Sequence, residues 1–156
     1  MQEFKALQVS EDSEGKYSAV VVDRNIDELP DGDTLIQVNY SSLNFKDAMS
    51  FNGNKAVTRL YPHTPGIDAA GTVVSSTDAG LNAGDEVLVI GYDLGMNTSG
   101  GFGQMIRVPS EWVVKLPSGL SQKESMILGT AGFTAALCVE KLLLNGAEPS
   151  QGKVLV

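Results

Sequence analysis

Glycine and proline cut this chain into short pieces, and that punctuation is what most limits its fold. Seventeen glycines and six prolines are spread through 156 residues. Between them lie apolar runs too short for helices, the pattern of a many-stranded β region with tight turns. Residues 4–10 and 17–23 read as strands joined by the polar turn Glu11–Gly15, and Leu29-Pro30-Asp31-Gly32-Asp33 is a strong turn signal. Residues 34–40 alternate with the period of a half-buried strand. Further strands are expected at 66–74, 83–90, 100–108 and 112–116, and a short helix at 44–49 with Ser41 and Ser42 as its caps.

The texture changes near residue 121. Ser121-Gln122-Lys123-Glu124 has the spacing of a capping box, and apolar residues from Met126 to Leu143 follow a helical period. Gly129-Thr130-Ala131-Gly132 interrupts that period, so two helices are expected, with Asn145-Gly146 ending the second. Lys153-Val154-Leu155-Val156 starts a new apolar strand. Strands first, then a helix leading to a strand, suggest two domains: residues 1–120, and residues 121–156 as the beginning of another.

Composition narrows the partners. The chain is 42% hydrophobic and 19% charged, which suits a globular protein, and its net charge of -8 argues against nucleic acid and anionic membranes. No uninterrupted apolar stretch reaches the ~20 residues of a membrane span. No basic, apolar leader opens the sequence, and the lone Cys138 forms no internal disulfide, so a cytoplasmic protein is expected. Cys138, amid apolar residues, is expected to be a buried small hydrophobe.

Five stretches taken together carry a family resemblance: 41–47 (SSLNFKD), 65–73 (PGIDAAGTV), 83–87 (AGDEV), 100–102 (GGF) and 129–135 (GTAGFTA). In this order and spacing the chain resembles the N-terminal half of the medium-chain dehydrogenase/reductase superfamily, and within it the acrylyl-CoA reductase and quinone oxidoreductase branch. The resemblance implies a mainly β, GroES-like barrel as catalytic domain, with helices leading into the first strand of a Rossmann domain at 153–156. It implies NADPH as cofactor, an enoyl thioester or quinone as substrate, and a homodimer at full length. The glycine-rich phosphate turn of such a domain is not among these residues, so the 156 residues alone are expected to bind NADPH weakly.

The resemblance also places the site. Where zinc-dependent relatives carry cysteine, a histidine-glutamate pair and a third ligand, this chain has Asn44, Ile67-Asp68 and Gly129-Thr130-Ala131. Isoleucine ligates nothing, so no metal is expected. Without a Lewis acid, hydride addition to an already polarised double bond is favoured over alcohol oxidation. Asn44 and Asp47 are then the candidate catalytic residues, and Asn44, Phe45, Lys46, Thr130 and Thr134 the candidate cofactor contacts. Each has a structural alternative: a turn or cap for Asn44, a cap or ion pair for Asp47, a packed ring for Phe45, a solvated side chain for Lys46, and a helix cap for Thr130, whose face Thr134 shares one turn later. Asp68 reads as structural, and His63, the one histidine, as a loop residue. Two other readings stay open, a quinone or enal reductase and a GroES-like binding or oligomerisation module without catalysis. The helices at 129–145 favour the enzyme.

Overall fold

A computed structural model describes residues 3–148 together with Ser150 and Gly152. The expected strand at 153–156 lies outside the described residues. The chain opens with an antiparallel hairpin, β1 (Glu3–Glu11) and β2 (Tyr17–Asn25), turned at Gly15. Five strands then form one antiparallel sheet: β3 (Thr34–Tyr40), β4 (Asp68–Ser76), β5 (Glu86–Ile90), β6 (Met105–Val108) and β7 (Val114–Lys115), in the order β6-β3-β4-β5-β7. The expected barrel is laid out as these two sheets, with β1 as their link. Leu7 donates its amide to Phe102 O at 2.9 Å, Gln104 donates to Lys5 O at 2.9 Å, and Val9 pairs with His63.

Alternation along the strands builds two apolar cores. Ile36, Val73, Val87, Val89, Ile106 and Val108 fill the interior of the larger sheet, while Phe4, Ala6, Leu29, Leu35 and Met105 fill the space beneath the hairpin. Each fully buried Val, Leu or Ile is worth about 1.5–3 kcal/mol, so these clusters dominate the stability of the fold. Some strands are shorter than their sequence signals. The strand expected at 100–108 starts only at Met105, because Gly100–Gly103 serve as close-packed linking backbone. At 112–116 only Val114–Lys115 pair, after a 3-10 turn at Ser110–Trp112.

Two helices complete the chain. α1 (Phe45–Phe51) follows β3, and α2 (Gln122–Leu144) follows β7. The capping box forms as expected: Ser121 Oγ accepts the Glu124 amide at 3.2 Å, and Glu124 Oε2 accepts the Ser121 amide at 2.9 Å. Gly129 breaks α2 into the two expected segments, at φ 51 and ψ -160. Asn145 and the positive-φ Gly146 end it.

Two expectations about this region are corrected. α2 as a whole is long and apolar enough to cross a membrane, with a mean hydropathy of 1.6 and 6% burial over its most apolar window. Counting uninterrupted apolar residues missed it, because glycines and threonines break the run yet lower the mean hydropathy little, while alanines and leucines keep it high. The break at Gly129 nonetheless leaves 15 residues in the longer segment (Thr130 to Leu144), about 22 Å of helix against a hydrocarbon core of about 30 Å. Cys138, in turn, is exposed. Its apolar neighbours lie on a segment that no described element covers.

Candidate functional site

The start of α1 is fixed by an acid that reaches two ways. Asn44 is the N-cap, in extended backbone, and Asp47 Oδ2 accepts its amide at 2.8 Å. Asp47 Oδ1 accepts the amides of Gly66 and Ile67 at 3.2 and 2.9 Å. One buried side chain thus ties α1 to the turn leading into β4. Burial pushes the Asp47 carboxyl up, against the pull of the amides that favour its charged form. Gly66 takes φ +110, and a Cβ there would stand 2.6 Å from Phe102 N, so only glycine admits so close a backbone.

Asp68, the first residue of β4, is fully buried and forms the hub. Its Oδ2 accepts Asn44 Nδ2 at 3.0 Å and the Thr130 amide at 2.8 Å, and its Oδ1 accepts the Thr130 hydroxyl at 2.6 Å. The carboxylate caps the second segment of α2 from a strand 62 residues away, where the amides and dipole of the helix favour negative charge. Gly129 makes the approach possible, since a Cβ there would lie 2.5 Å from Ser42 Oγ and 2.8 Å from Asp68 Oδ2. None of the ion pairs among the described residues involves Asp47 or Asp68, so both acids are satisfied by uncharged donors.

Ser41 and Ser42 do not cap α1, which corrects the expectation for them. Ser41 Oγ donates to Asp68 O at 2.6 Å and Ser42 Oγ to Met126 O at 2.8 Å. They lie too far ahead of Phe45 to reach its turn, and they stitch the 41–44 connection to β4 and α2 instead.

The structure therefore joins Asn44 and Thr130 through Asp68, with Asp47 attached by the Asn44 amide. Thr134 is attached behind Thr130, its hydroxyl donating to Thr130 O at 2.8 Å. Phe45 and Lys46 lie on the open first turn of α1, with Phe45 83% exposed beside Asn44. His63 is buried, its Nε2 2.9 Å from Gly95 O, and burial lowers its pKa. It holds the loop against β1 and is not part of this cluster. The sequence reading missed the hub role of Asp68 and the reach of Ser41 and Ser42. Their partners lie 24 to 84 residues away, and the only local signal was an acid and a glycine in the two matching motifs.

Beyond Gly129 lies an apolar cleft of about 640 Å³ between α2 and the sheet, lined among others by Leu88, Ile90, Trp112, Leu128 and Phe133. Tyr92 stacks on Trp112 at its side, with ring centroids 5.3 Å apart. Gly129 belongs to both the cleft and the polar cluster.

Comparison with known proteins fits this geometry. The family described as "Alcohol dehydrogenase GroES-like domain" matches residues 30–118, from the turn before β3 to the end of β7. The chain belongs to this family. Its likeness extends to longer members of the medium-chain dehydrogenase/reductase group. YhfP of Bacillus subtilis, whose name proposes a quinone oxidoreductase, is 45% identical over 98% of this chain and 46% of its own length. The acrylyl-CoA reductase AcuI of Ruegeria pomeroyi is 42% identical over 98% of this chain and 47% of its own. The yhdH oxidoreductase of Salmonella enterica, solved in complex with NADP, superposes with a TM-score of 0.91 at 44% identity, covering 95% of this chain and 45% of that one. Bacillus subtilis yhfP, solved with NAD bound, superposes at 0.93 and 43%, covering 98% and 46%. The chain spans about half the length of the curated relatives it matches.

Proposed function

We propose that this chain forms the substrate and nicotinamide side of a cytoplasmic NADPH-dependent reductase that reduces the activated C=C bond of a small enoyl thioester, such as acryloyl-CoA, without zinc. The observation that carries the reading is the Asn44–Asp68–Thr130 cluster. Two half-buried polar groups, Asn44 and Thr130, are held by the buried Asp68, and the exposed ring of Phe45 follows Asn44 in the chain. Such a surface suits a flat heteroaromatic ring with a polar substituent and a ribose beside it. A diphosphate is not provided for. Lys46 is the one cation on that turn, too little to grip a diphosphate by itself.

The same residues do not fit a catalytic zinc. By the resemblance, Asn44, Ile67-Asp68 and Gly129-Thr130-Ala131 stand where the metal-dependent relatives carry ligands; Asp68 spends both oxygens on hydrogen bonds, and no group of three His, Cys, Asp or Glu side chains is suited to a metal among the described residues.

NADPH, when bound, supplies the hydride. The chain's own work is placement. Phe45 would offer its exposed ring to the nicotinamide, and Asn44 and Thr130 would hold its polar substituent. Asp47 acts by holding Asn44, since its oxygens are occupied by backbone amides. The names of the two relatives divide between acrylyl-CoA and quinone, and YhfP, at 45% identity, favours quinone as the second reading.

The test is NADPH consumption by the natural gene product carrying this chain, with acryloyl-CoA set against a benzoquinone. Faster turnover of the thioester is expected. Preference for the quinone overturns the substrate assignment, and loss of activity to a chelator overturns the zinc-free mechanism.

A further inference from the structure

Three donors converge on Asp68, and none is a cation. A carboxylate only accepts hydrogen bonds, so every group facing it must turn a proton inward. The Thr130 hydroxyl has one proton and gives it to Asp68 Oδ1 at 2.6 Å. Only lone pairs of Oγ1 remain for anything outside. Asn44 is likewise turned nitrogen-first, its Nδ2 3.0 Å from Oδ2. Asp68 is wholly buried, whereas Asn44 and Thr130 are half-buried and reach the surface of the site.

We propose that Asp68 is the positioning residue that sets the hydrogen-bond polarity of this site. It makes Thr130 an acceptor toward the ligand, so the ligand group recognised there is a donor, such as a primary carboxamide N–H or a ribose hydroxyl. A group offering only a carbonyl is refused. This rests on the nicotinamide reading above and adds the residue that enforces the choice. The arrangement is reversible by exchanging one oxygen of Asp68 for an NH2 group. Asp68→Asn retains an oxygen for the pair shared by Asn44 Nδ2 and the Thr130 amide, and sets an NH2 against Thr130 Oγ1. The hydroxyl then accepts inward and turns its proton outward, with side-chain shape unchanged.

Two probes separate the cases: nicotinamide mononucleotide, and its 3-acetylpyridine counterpart, which keeps the ring and carbonyl but replaces the amine by a methyl. Binding is read by NMR titration from the Thr130 amide and Asn44 side-chain amide resonances of the chain. The wild type is expected to prefer the nicotinamide probe about fivefold, the value of one hydrogen bond. In D68N that ratio is expected to fall to one or invert. T130V is expected to lose the preference and T130S to restore it, while D68N added to T130V changes nothing further. A ratio in D68N equal to that of the wild type overturns the proposal. Should D68N fail to fold, a T130V ratio equal to wild type overturns it instead. Silence of both resonances toward both probes in the wild type overturns the nicotinamide reading, and this inference with it. Binding with an unchanged ratio overturns the inference alone.

Discussion

α2 before and after Gly129 differs far more in burial than in composition. Gln122, Ser125, Met126 and Gly129 are buried, while Phe133, Leu137, Val139, Leu142, Leu143 and Leu144 are exposed. The first segment has fewer large apolar residues, and Ile127 and Leu128 among them are exposed, yet it is the one held. Gln122 accepts from Asn39 Nδ2 at 2.8 Å and donates to Glu86 Oε1 at 2.8 Å, and Ser42 bonds Met126 O. Among the described residues, the hydrogen bonds that tie the second segment to the sheet lie at its first turn, through Thr130 and Asp68. Apolar residues at helical spacing thus made a helix in both places, and long-range hydrogen bonds decided which part lies against the sheet. An exposed apolar face of this kind is where a soluble surface is expected to be sticky.

That contrast can be broken most strongly at the joint. Gly129→Ala puts a side chain in a backbone region that essentially only glycine enters, and against Ser42 Oγ and Asp68 Oδ2. Destabilisation on the order of 3 kcal/mol is expected in urea unfolding, with loss of the Thr130 anchor. A change below 1 kcal/mol would mean the break is not held by its surroundings.

Acid tests the loop that His63 holds against β1. His63 has a lowered pKa in the folded chain because it is buried. The unfolded chain then binds more protons between that lowered value and about 6.5, so stability falls as pH drops through this window and is restored above it. One such group contributes at most about 1.4 kcal/mol per pH unit. His63→Gln is expected to remove this part of the pH dependence. An unchanged slope in the variant would assign it elsewhere.

Ser121→Ala removes the cap of the held segment and is expected to cost about 1 kcal/mol, read as a shift of the unfolding midpoint. Leu142→Gln with Leu144→Gln tests the open segment. Stability is expected to move by less than about 0.5 kcal/mol, while binding of a hydrophobic dye falls. A large loss of stability would show those leucines to be packed.

Features decided within a few residues were legible in the sequence. The Ser121–Glu124 box, the break at Gly129, the Asn145-Gly146 stop and most strands depend on local geometry, and the structure bears them out. Asp47 was half legible: its bond to the Asn44 amide spans three residues, but its reach to Gly66 and Ile67 needed the fold. Asp68 was legible only as a structural acid, because its meaning lies in Asn44 and Thr130, 24 and 62 residues away. Burial of Cys138 failed for a related reason. Helical periodicity identifies an apolar face without saying what covers it.

The double grip of Asp47 also has a consequence for motion. With the α1 cap and the amides of Gly66 and Ile67 sharing one carboxylate, the first turn of α1 cannot unwind without releasing those two amides to solvent. Deuterium uptake at Gly66 and Ile67 therefore becomes a clock for opening of the ring face at Phe45, although neither residue is in that helix. An excursion of α1 and a loosening at the threshold of β4 should be timed as a single event.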